Sequence, residues 1–186
     1  VSARSVEVHA AMMGALRLAQ MDRTGLEFFD RSVRGFWRAF YAAALVLPIY
    51  VVTLLAIDKV SGDPSLWLLE AVGYAVGWLA FPCLMLTLAD LMDRRQRYLD
   101  FMVPYLWAAV PQNILLCSMT LLSVSGVLPA DVGALLRLTA FFCVLAHKWY
   151  IARVGLEVSS GAAMGVVVVD ISLDLLIQLL MELNQA

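Results

Sequence analysis

Charge is what this sequence has least of. Asp, Glu, Lys and Arg together make up 15% of its 186 residues, where roughly 25% is usual for a soluble domain. Hydrophobic residues make up 62%, against about 45–50% in such domains. A chain this short buries only about 70% of the surface its unfolded form exposes, so the excess cannot be hidden inside a water-soluble fold. A mean hydropathy of +0.84 agrees. With a net charge of −2 there is no basic footprint for nucleic acid. The three cysteines, Cys83, Cys117 and Cys143, lie in separate apolar runs without CxxC or Cys/His spacing. That excludes a disulfide framework and a zinc site and leaves small packing residues. The two histidines, His9 and His147, do not make a bis-histidine haem pair, and no other cofactor is implied. HExxH, GxSxG and Walker A patterns are absent. Little chain remains outside the apolar runs for a catalytic domain, so no enzymatic activity is expected.

What is present is oil in spanning lengths. About 20 helical residues cross a hydrocarbon core, and five stretches qualify: 36–57, 66–89, 101–122, 133–152 and 162–183. Helix is the only reading, because open strands would leave unpaired backbone groups in lipid and no period-two alternation announces a barrel. The expected fold is an all-α polytopic membrane protein: a cytoplasmic segment 1–35 followed by a five-helix domain, 36–186. Asp63 followed by Pro64 reads as a cap for the second span, and Asp100 and Asp131 as caps for the third and fourth. Gly126 and Pro129 mark a turn, and Pro48, Pro82, Pro104 and Pro111 lie in or near spans, where kinks are tolerated.

Eleven of the thirteen Lys and Arg residues fall before or at the start of the first span, between spans two and three, or at the junction of spans four and five, leaving Lys59 and Arg137 for the other side. The positive-inside rule then places the N-terminus in the cytoplasm and the C-terminus outside. The loop containing Asp90, Asp93, Arg94, Arg95 and Arg97 reads as a solvated basic loop beside anionic headgroups. Phe36, Trp37, Phe40, Tyr41, Tyr98, Tyr105, Trp107, Trp149 and Tyr150 read as anchors at the inner interface, with Tyr50 and Trp67 toward the outer one. Residues 1–20 carry Glu7, His9 and Arg17 and lack a signal-peptide core. Residues 5–20 fit an amphipathic helix with Val8, Met12, Leu16 and Ala19 on its apolar side, lying on the membrane or against a partner.

The most informative chemistry is in the fifth span. Asp170, Asp174, Gln178 and Glu182 recur every four residues and form one polar stripe. Intramembrane carboxylates are costly and normally face a bundle interior with a partner. Depth along the helices sets His147 level with Asp170, Gln112 and Asn113 level with Asp174, and Arg137 level with Glu182 and within reach of Gln178. These eight residues are the expected polar network of spans three, four and five. It serves either as interhelical glue, with carboxylates neutral or paired, or as a proton or cation path. Spans one and two offer few polar residues for such a path. Gly73 with Gly77, and Gly161 with Gly165, read as GxxxG close-approach motifs.

The segment FFDRSVRGFWRAFYAAALVLP leading into span one, and the closing pair WYIARVGLEVSSGAAMGVVVVDISLDLLI, together resemble the Yip family of five-helix membrane proteins in its short bacterial form. The resemblance implies an N-in, C-out bundle in a bacterial cytoplasmic (inner) membrane. Its eukaryotic relatives bind small GTPases in vesicle traffic, but this chain lacks their long acidic cytosolic region, and no catalytic residues carry over. Two functions are therefore expected. One is a non-enzymatic organising, accessory or assembly role through contacts with other integral membrane proteins or a homo-oligomer. The other is a proton- or ion-coupled transporter or channel using the carboxylate stripe. The bilayer is the common partner.

Overall fold

The computed structural model describes residues 3–58 and 64–183, with side chains from Val6 onward. Every element among the described residues is helical. In chain order they are α1 (Ala3–Ala19), a 3-10 turn at Arg23–Phe28, α2 (Val33–Ala39), α3 (Tyr41–Ala56) and α4 (Pro64–Leu91). After a 3-10 turn at Arg95–Arg97 come α5 (Tyr98–Val124), α6 (Ala130–Gly155) and α7 (Ser160–Leu183). Taking α2 with α3, which meet at Phe40, five helices are long and apolar enough to cross a membrane. The five stretches expected from hydropathy match them in number and place.

Their ends differ from the expected caps. Asp63 and Lys59 lie outside the described residues, although Pro64 does open α4. Asp100 does not cap α5, which begins at Tyr98. It sits in the first turn and accepts hydrogen bonds from Arg97 (3.0 Å) and Arg31 (3.1 Å). Pro129 precedes α6, and Asp131 lies inside its first turn; acid there still complements the helix dipole. Three helices stop by one device. Met21, Asp93 and Glu157 adopt positive φ (59°, 54° and 52°), and the next amide bonds back across the turn: Asp22 to Arg17 O, Arg94 to Ala89 O, Val158 to Arg153 O. This is the Schellman closure, made without glycine. Beyond the first, Asp22 accepts from the Thr24 hydroxyl and amide, and these bonds hold its carboxyl below the ordinary range.

Packing is dense at one end of the bundle. Phe101, Met102, Val103, Leu106 and Trp107 of α5 are buried, as are Met85 and Ala89 of α4, Ile151 and Ala152 of α6, and Ala163 and Val166 of α7. Gly155 is what lets α6 close on α5: a Cβ there would lie 2.8 Å from the Phe101 Cα and 3.0 Å from the Asp100 carbonyl. α1 docks on its own chain, against α5, α6 and the 3-10 turn that follows it. It buries Ala11, Gly14, Ala15 and Leu18, and Gly14 and Gly25 bring two backbones together. Of the expected apolar face, Val8 and Met12 pack against the core, while Leu16 and Ala19 are exposed. Beside Leu18, the contacting side carries the small residues Ala11, Gly14 and Ala15, because two backbones approach closely there.

Several expected anchors are core. Trp107 and Tyr98 are buried, and the Tyr98 hydroxyl donates to the Pro82 carbonyl (3.0 Å). Trp37 and Tyr41 are exposed as expected. Trp149 joins α6 to α7 by donating to the Ser160 carbonyl (3.1 Å). Of the cysteines only Cys117 is buried; Cys83 and Cys143 face outward and are not in-chain packing residues. The charged loop is paired as well as solvated. Arg95 meets Asp90 (2.9 Å), Arg97 meets Glu157 (2.7 Å) and Asp100, and Arg23 meets Glu157 (2.6 Å).

Candidate functional site

Beyond the dense end, the helices enclose a cavity of about 540 Å³ to which α3, α4, α5, α6 and α7 all contribute. It reaches from Ile57 and Glu182, near the helix ends, to Tyr105 and Lys148. The α7 stripe forms part of its wall, through Asp174, Gln178 and Glu182. The Asp174 side chain is 49% exposed although it lies midway along a spanning-length helix, so the cavity is what exposes it.

At the closed end sits an ion cluster. Lys148 of α6 donates to Asp170 at 2.7 Å and lies 3.9 Å from Asp174. The Tyr105 hydroxyl of α5 donates to the other Asp170 oxygen at 2.6 Å, and the Lys148 ammonium stands 5.5 Å from the Tyr105 ring centroid. Asp170 is 2% exposed. Its buried charge is satisfied by an opposite charge and a hydroxyl at once, the condition under which a buried ion pair survives desolvation.

His147 does not meet Asp170. Its Nδ1 is 3.1 Å from Gln112 Nε2, and its Nε2 is buried without a hydrogen-bond partner among the described residues. Successive helical residues point about 100° apart, so Lys148 reaches α7 while His147 reaches α5. Asn113 donates to the Ala109 carbonyl of its own helix (2.8 Å) and shares only the cavity with Asp174. Arg137 is exposed and forms no ion pair among the described residues, so neither Glu182 nor Gln178 meets it. The expected network is therefore two clusters, Lys148–Asp170–Asp174–Tyr105 and Gln112–His147.

The glycine pairs fare unevenly. A Cβ at Gly73 would strike the Met181 side chain of α7, while Gly77, Gly161 and Gly165 have nothing within 4 Å of that position. Gly77 lines the cavity and so widens a hole; it makes no helix crossing. Within the chain the pairs are not close-approach motifs.

The sequence reading missed the other wall. Glu70 of α4 is 2% exposed and accepts a 2.6 Å hydrogen bond from the Tyr50 hydroxyl of α3. The Tyr74 hydroxyl donates to the Ala43 carbonyl at 2.6 Å. Spans one and two thus do bring polar groups to the cavity. A lone carboxylate has no periodic partner to reveal it, and two tyrosines in apolar runs read as anchors. Among the described residues no group of His, Cys, Asp and Glu is arranged to hold a metal. No family model, curated protein or solved structure matches this chain.

Proposed function

We propose that this chain is a five-span integral protein of a bacterial cytoplasmic membrane, N-terminus inside and C-terminus outside, that passes protons or small cations by way of its polar cavity. The observation that carries this reading is the Lys148 ammonium lying between Asp170 (2.7 Å) and Asp174 (3.9 Å) at the cavity's closed end. Asp170 holds the lysine. Asp174, open to the cavity, is where an arriving cation or proton competes with it. In a low-dielectric surround a change of one charge at Asp174 alters the pull on Lys148 strongly, which offers a means of coupling occupancy to the α6–α7 contact. The basic residues at the dense end support the N-in orientation.

Reconstituted proteoliposomes test this. A pH- or cation-gradient-driven flux is expected, abolished in Asp174→Asn while the variant remains folded. A wild-type protein without flux across a range of pH and cations contradicts it.

An organising or assembly role is the second reading. It is supported by the outward strip Leu175, Leu176, Leu179 and Leu183 on α7, all exposed, with open space over Gly161 and Gly165. Lipid or another membrane helix fits such a surface. Native extraction with a stoichiometric partner or defined oligomer favours it; a solitary monomer counts against it.

A further inference from the structure

The cavity's two walls differ in chemistry. The α7 side presents carboxylates and an amide. The α3–α4 side presents Tyr50, Glu70, Tyr74 and Trp78. There the rings form a continuous run: Tyr50 and Tyr74 centroids are 5.0 Å apart at 35°, and Tyr74 and Trp78 are 6.1 Å apart at 56°. Both tyrosine hydroxyls are already engaged, with Glu70 and with the Ala43 carbonyl. What remains for an occupant is π surface beside a carboxylate that the Tyr50 hydroxyl holds in place.

Charge narrows the class. Among the described residues the lining includes three carboxylates, Glu70, Asp174 and Glu182, and one ammonium, Lys148, which Asp170 already binds from behind. An anion is repelled by this surface. A hydrocarbon tail leaves carboxylates against oil, which is unfavourable. A hard inorganic cation takes several oxygen ligands in a close shell, and rings occupy that place. A cation with an apolar body satisfies both features, by charge attraction to Glu70 and by cation–π contact with the rings. The volume, about 540 Å³, lies in the ordinary range for a small-molecule pocket.

We propose that the α3–α4 wall of the cavity, built from Tyr50, Glu70, Tyr74 and Trp78, binds an organic ammonium ion. This deepens the transport reading by naming a cargo class, and rests on it for the route across the membrane, though the binding residues are different ones. Phenyltrimethylammonium is the probe, titrated by equilibrium dialysis into the full chain in detergent, with the near-isosteric neutral tert-butylbenzene as competitor. Saturable binding at one site per chain is expected, untouched by the competitor and weakened about tenfold or more in Glu70→Gln and in Trp78→Leu. In the first variant Gln preserves an acceptor for the Tyr50 hydroxyl while removing the charge. If it does not fold, Trp78→Leu carries the test alone.

Absence of saturable binding, full affinity in a folded Glu70→Gln variant, or displacement by the neutral isostere each overturns the assignment. Binding with no flux in proteoliposomes leaves the ammonium site standing and removes the transport reading. Flux of protons or inorganic cations without ammonium binding does the reverse.

Discussion

The two halves of this bundle are made from the same five helices and solve opposite problems. In α5, ten of the fifteen residues 98–112 are buried; from 113 to 124 only Cys117 is. In α7 burial reaches Asp170 and stops, and in α6 most of the buried residues lie from Ala140 onward. The dense half is closed by small residues that admit backbone approach, Gly155 and Ala152 on α6 and Ala163 on α7, and by α1 laid across it. The open half keeps its helices apart around carboxylates and tyrosines. Composition alone does not separate them, since both are mostly apolar. The difference lies in where small residues fall and where polar ones face inward.

The sharpest way to break this contrast is at the boundary between the halves. Asp170→Asn leaves Lys148 largely buried beside a neutral partner, and removing one member of a buried pair costs about 3–5 kcal/mol. Unfolding in mixed micelles should show a loss of that order. A variant as stable as the wild type would mean that the pair is not buried. Next comes Gly155→Ala, whose methyl meets backbone and so must push α6 from α5. Overpacking costs typically about 1–3 kcal/mol, read in the same assay. The matching change in open space, Gly165→Ala, meets nothing within 4 Å and should be neutral or raise stability by up to about 1 kcal/mol through helix propensity. Equal effects at the two glycines would erase the distinction. The smallest effect is expected from Glu157→Gln, which releases Arg23 and Arg97. These groups are 40–64% exposed, so solvent screening keeps the loss near the limit of detection, and it shrinks further in high salt.

Much of the fold was legible. Five apolar runs of spanning length gave five helices because backbone satisfaction leaves oil-facing chain no other form. The Asp170–Asp174 spacing correctly marked the α7 face that turns inward. What failed was azimuth. Depth along an axis is simple arithmetic and set His147 level with Asp170, but rotation about the axis decides contact, and the adjacent Lys148 holds that position. Lys148 itself read as a flanking positive charge, because a lysine near a span end normally snorkels outward. Helix ends were blurred since Met21, Asp93 and Glu157 take a left-handed conformation that glycine usually advertises. Glu70 was invisible for want of a periodic companion, although it stands opposite the stripe that was seen.

On the proposed transport reading, water and solutes enter one half of the bundle from the side of the C-terminus as far as Lys148, and passage beyond it needs the α6–α7 contact to open. A cysteine-free background, with Cys83, Cys117 and Cys143 replaced, permits single cysteines at Gln178 and Asn113 in the open half and at Val103 and Val167 in the dense half. A cationic, membrane-impermeant methanethiosulfonate reagent added to the C-terminal side of sealed vesicles should modify the first two rapidly and spare the other two from either side. Protection of Gln178→Cys and Asn113→Cys, or equal labelling of Val103→Cys, contradicts the account.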